Sequence, residues 1–192
     1  MPDYYCNSIE EYLRQPGGRF YRSSYAVEPN PWSRKGEIEA ALLFRGTLVS
    51  AYGFIETRLR ELALRTSHLP QCKSIFVGLP FREKSLLTYL RAAFAQEPLK
   101  QFQCTAESFL SRFEAAGDLR HMAAHARMQV LPGWGVVLEH FPKGGSPSKP
   151  LIERRRYPLA DLELEARRAA RLSRLGDSLM AQLIATRLLP EI

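Results

Sequence analysis

The chain has 192 residues, 45% of them apolar, which is enough to bury a core and too apolar for a disordered polypeptide. Lysine and arginine number 27 against 20 acidic residues, a net charge of +7. That surplus favours anionic partners, nucleic acid ahead of a membrane surface, without demanding either. Three widely spaced cysteines, Cys6, Cys72 and Cys104, with no CxxC pair, argue against a disulfide framework and for a reducing compartment.

The length suits one domain, or one domain with an appendage. The first residues lack the positive segment and apolar run of a signal peptide. No stretch approaches the ~20 apolar residues of a membrane span. The expectation is a cytoplasmic, soluble protein with no membrane partner.

Residues 1–33 read as an irregular N-terminal extension. Ser8 and Glu11 have capping-box spacing for a short helix, which Pro16-Gly17-Gly18 ends. The following GRFYRSSY interleaves Arg19 and Arg22 with Phe20, Tyr21 and Tyr25. Such a segment binds single-stranded nucleic acid by charge and stacking, or simply packs its aromatics back on the body.

Residues 34–66 predict one long helix. Leu48, Tyr52, Ile55, Leu59 and Leu62 recur at the helical period, with Ile38 and Leu42 extending the stripe backwards. At 100° per residue, Arg45 lies within about 20° of Tyr52 and Glu56 within about 40°. An acid beside an apolar stripe needs a partner, and a structural ion pair or a rim position would satisfy it. Residues 82–97 predict a second helix ended by Pro98. Residues 105–116 predict a third, with Thr105 as N-cap and Phe109, Leu110 and Phe113 inward. Gly117 interrupts, and Asp118 is a natural N-cap for a short fourth helix carrying Arg120 towards Met128. From residue 128 the pattern alternates around Pro132-Gly133, and LIERRRY offers a third strand, so a β-hairpin or three-stranded ribbon is expected at about 128–157. A last long helix follows over 161–188, with Asp161 as its N-cap. The fold class is therefore mainly all-α, a bundle of four to five helices with a small β ribbon before the last.

The segment GDLRHMAAHARM concentrates chemistry. It holds two of the chain's four histidines, His121 and His125, beside Arg120. The histidines are i, i+4 and share a helix face. Arg120 and His125 stand about 140° apart around the helix and about 7.5 Å along it, so one groove can touch both. A neutral imidazole takes a proton near neutrality and a guanidinium clamps a phosphate with two parallel bonds. Base plus phosphate clamp is the minimum for cleaving RNA by its own 2′-hydroxyl. HxxxH on a helix can also supply two zinc ligands. However, Met122 stands where the metalloprotease form needs Glu, and no Cys/His pair has ligand spacing nearby, so no metal and no cofactor are expected. Spacing alone is equally met by surface or interface histidines without chemistry.

LRHMAAHA resembles the signature of the HEPN superfamily, α-helical domains whose motif is arginine, a polar residue, three further residues and histidine. Arg120, His121 and His125 fill it, with His121 where the family usually has Asn. The earlier AYGFIETRLRELA resembles the family's core helix, and the hairpin and final helix also follow its order. The similarity covers about residues 34–188, leaving a HEPN-like domain over 34–192. It implies a metal-independent endoribonuclease acting as a homodimer, with the motif helices of two protomers forming one basic cleft. His125 would be the general base or acid, and Arg120 would stabilise charge on the phosphorane. His121 would orient a neighbour or touch RNA, and Glu56 would hold Arg120 or His125. Many such proteins act in toxin–antitoxin pairs or phage defence, so an antitoxin or another protein is a further expected partner. Others only bind. The alternative is therefore an inactive helical module that dimerises and recognises a protein, nucleotide or RNA. On the last helix Arg167, Arg171 and Arg174 form one stripe, preceded by Arg154, Arg155 and Arg156. The stripe would track an RNA backbone or serve as a solvated face.

Overall fold

The computed structural model describes residues 27–28, 35–80, 82–140 and 152–189. Among these are five α-helices: α1 (Lys35–Ser67), α2 (Glu83–Phe94), α3 (Gln103–Ala115), α4 (Gly117–His125) and α5 (Leu159–Ala185). The strands are β1 (Val27–Glu28), β2 (Arg127–Leu131), β3 (Gly135–His140) and β4 (Glu153–Tyr157). The protein is thus mainly α-helical, with a small antiparallel sheet, β2–β3–β4, before the last helix. The helix expected near Ser8, the arginine and aromatic segment after Gly17 and the loop after His140 lie outside the described residues.

The N-terminal extension and the helix starts need correcting. Residues 27–28 are not irregular: they pair in parallel with Met128 and Gln129 as a two-residue edge strand. The helix N-caps also fall elsewhere. A 3-10 turn over Leu99–Phe102 already carries helical backbone into α3, so Thr105 lies inside the helix. Helix α4 starts at Gly117, which puts Asp118 in its first turn. In α5 the Pro158 carbonyl accepts the first backbone bond, from Leu162 N–H, so Asp161 is again a first-turn residue. An acid there still complements the positive end of the helix.

The chain divides into two compact units. The first comprises Met1–Thr47 and Leu119–Ala166. Its sheet turns at Pro132-Gly133, where Gly133 takes a left-handed φ of 68°. Gly135 sits at φ 107°, and a Cβ there would stand 2.2 Å from the Tyr157 carbonyl oxygen, so only glycine fits beside β4. Alternation buries Met128, Val130, Val136 and Leu138 on one face, with Met122, Ala123 and Ala126 also in the core. The opposite face is polar: Glu139 receives Arg154 at 2.7 Å and lies 3.8 Å from Arg127.

The second unit comprises Leu48–Asp118 and Arg167–Ile192. The predicted stripe Leu48, Tyr52, Ile55, Leu59 and Leu62 is buried throughout, and the Tyr52 ring lies 6.3 Å from that of Phe113. By length and composition α1 does contain one stretch apolar enough to cross a membrane. The sequence expectation that none approaches this is corrected, and the five stripe residues show the helix serving as a core element.

Glu61 is the electrostatic hub of this unit. It accepts from Arg65 at 2.8 Å and from Arg58, whose Nε also reaches Asp177 at 2.9 Å. Burial works against its charged form, but the hydrogen bonds from Arg65 and Arg58 outweigh it and hold the carboxyl below its usual range. A depressed folded-state pKa gives stability that is present above the unfolded value of about 4.3 and is lost as pH falls through the folded one. Glu61→Gln is expected to lower the melting temperature by about 2–4 °C at pH 7. The gap from the natural protein should close below about pH 4. Thermal unfolding of both proteins across pH 3–8 checks this, and a gap that stays constant with pH would refute it.

Candidate functional site

From Leu119 onward the motif helix α4 belongs to the first unit. It buries Met122 and Ala123, and the next residue, Ala126, is buried too. These three positions fix its inward face, which leaves His121 and His125 exposed and Arg120 half-buried. The two imidazoles stand with ring centroids 4.9 Å apart, as the i, i+4 spacing requires.

Strand β3 adds a residue that sequence reasoning missed. Its last residue, His140, brings its ring to 4.6 Å from that of His121, nearly edge-on, and the two Nε2 atoms are 3.1 Å apart. Three of the chain's four histidines therefore form one cluster. Glu153, opposite His140 in the ladder, gives its carboxylate to Arg155 at 2.7 Å, and Glu139 beside it is held by Arg154.

The C-terminal end of α4 is held by Arg45 of α1, which is only 7% exposed. Its Nε donates to the Ala123 carbonyl at 2.8 Å and its Nη2 to the Ala126 carbonyl at 2.7 Å. The chain enters β2 at Arg127, so these carbonyls lack helical N–H partners further on, and the guanidinium replaces them. Burial lowers the Arg45 pKa, yet a guanidinium remains charged at any ordinary pH.

The other predicted residues lie in the second unit. Glu56 is half-exposed and accepts from Arg60 at 2.7 Å, one turn away, so its carboxylate has a partner of its own. Arg167, Arg171 and Arg174 are exposed on α5, where Arg174 Nε lies 3.4 Å from the Ala170 carbonyl of the same helix. An open groove of about 430 Å³ is lined by Ile75, Pro80, Lys84, Thr88 and Tyr89, among others. Among the described residues lining it, Lys84 is the charged one, with no carboxylate or histidine beside it. Among the described residues no three His, Cys, Asp or Glu side chains are placed to hold a metal ion.

Comparison with known proteins returns no match: no family model, no curated protein and no solved structure aligns with this chain. What defines the site is its own geometry, a short helix presenting an arginine and two histidines, joined by a third histidine from the adjoining sheet.

Proposed function

We propose that this protein is a metal-independent endoribonuclease of the HEPN type, cutting RNA by attack of the substrate's own 2′-hydroxyl. The observation that carries the reading is the placement of Arg120 and His125 on one short helix whose histidine side is open to solvent. An exposed imidazole takes the 2′-hydroxyl proton, and a guanidinium one and a half turns away neutralises the charge that builds on the phosphorane. The +7 surplus draws RNA to the site. His121 supports the reaction beside His125. A C2 homodimer would present the motif twice in one cleft and double the charge facing RNA. The arginine row Arg167, Arg171 and Arg174 would contact the RNA backbone. Such a nuclease would act in the cytoplasm, in a toxin–antitoxin or phage-defence setting with a protein partner that restrains it.

The test is incubation of the purified protein with mixed RNA in EDTA, alongside light scattering at micromolar concentration. Expected are a dimer, RNA fragments ending in a 2′,3′-cyclic phosphate and starting with a 5′-hydroxyl, and intact DNA, which lacks the 2′-hydroxyl. Activity that vanishes in EDTA and returns with zinc would move the chemistry to a metal. Intact RNA under all conditions would leave a helical binding module.

A further inference from the structure

We propose that His121 and His140 act as one proton-carrying pair, and that His140 is a further catalytic residue delivering the proton taken by the departing 5′-oxygen. The inference rests on the ribonuclease reading and extends it to the second half of the reaction. Cleavage through the 2′-hydroxyl needs two proton transfers. One is removed from the 2′-oxygen as it attacks phosphorus, and one is given to the 5′-oxygen as it leaves. His125 accounts for the first, and Arg120 does not supply the second, because a guanidinium does not give up its proton.

The missing donor stands beside it. At 3.1 Å the Nε2 atoms of His121 and His140 are at hydrogen-bond distance. Two ring nitrogens in that position share one hydrogen, since two would repel and none would set lone pair against lone pair. When the pair takes up one proton beyond its two neutral rings, the shared hydrogen lies between the Nε2 atoms, next to His125, whose ring lies 4.9 Å from that of His121. The carboxylates flanking His140 do not compete for the role, because Arg154 engages Glu139 and Arg155 engages Glu153.

The balance is complete. The O2′–P bond forms and the P–O5′ bond breaks. The 2′-hydroxyl proton passes to His125, and the shared proton passes from the pair to O5′. His125 then returns a proton to solvent and the pair takes one up, both being open to water, with no oxidant, reductant or metal involved.

An RNA oligonucleotide with a single cleavable linkage, made with either oxygen or sulfur at the 5′-bridging position, tests the assignment on the full chain in EDTA. A thiolate leaves without a proton. His140→Ala is expected to slow the oxygen linkage about a hundredfold or more and the sulfur linkage less than about threefold, whereas His125→Ala slows both. His140→Gln keeps a hydrogen-bonding group but carries no proton, so it should match His140→Ala, and it stands in should the alanine variant not fold. Equal slowing of both linkages, no slowing of either, or rescue by Gln would overturn the inference alone. Failure of the natural protein to cut either linkage would instead overturn the ribonuclease reading, and this inference with it.

Discussion

His125→Ala is expected to reduce RNA cleavage by about 10²–10⁴-fold, the usual contribution of a positioned proton carrier, while the fold persists. The expectation of an intact fold follows from the exposure of the His125 side chain; removing it opens no cavity in the core. Arg120→Ala should cost as much, because charge on the phosphorane loses its main donor. Arg120→Lys should recover little, since a point charge does not replace a planar fork holding two oxygens. Arg120 is half-buried, so its variants need a melting curve beside the rate, and a loss of rate at unchanged melting temperature is the informative result. The measurement is single-turnover cleavage of one RNA by natural and variant proteins. Undiminished cleavage by His125→Ala would remove this helix from the chemistry.

How far the sequence reaches is clearest at one stripe and two single residues. The stripe from Leu48 to Leu62 was fully legible because a core helix shows its period in its own residues, and all five positions are buried. Arg45 was legible only as a misfit. Its position on the stripe follows from the 100° step, but its partners are carbonyls of Ala123 and Ala126, and a backbone acceptor 78 or more residues away leaves no mark on side-chain pattern. His140 lies between these cases. A hairpin turning at Pro132-Gly133 pairs Leu131 with Gly135 and Arg127 with Glu139. Counting one residue further back sets His140 across from Ala126, at the end of the motif helix. The turn was recognisable from its residues, but the register that carries His140 to His121 depends on where pairing starts, and a slip of one residue would send the ring to the other face. The helix starts were displaced for a simpler reason. A preceding 3-10 turn or a proline carbonyl begins the backbone ladder before the best capping side chain is reached, so Thr105, Asp118 and Asp161 fall inside their helices.

Arg45→Ala is expected to destabilise the protein by about 3 kcal/mol, the loss of two hydrogen bonds from a charged donor with their acceptors left buried. Opposing terms set the size. The guanidinium is itself costly to bury, and its Nη1 makes no hydrogen bond among the described residues, which reduces what the pair of bonds returns. On the other side, a positive charge at the C-terminal end of α4 adds up to about 2 kcal/mol in a partly buried setting. The carbonyls of Ala123 and Ala126 have no helical N–H to turn to, because the chain has already become a strand. Arg45→Met separates these terms: it fills the space without bonding the carbonyls, so it should recover only the packing part of the loss. Arg45→Lys keeps the charge but reaches one carbonyl at a time, and should also fall short of arginine. Urea unfolding ranks the four proteins. Amide exchange should show the opening concentrated in α4, with His125 among the first positions to lose protection. An Arg45→Ala protein within about 0.5 kcal/mol of the natural one would show that the helix end holds itself, and that the buried guanidinium does not secure the histidine face.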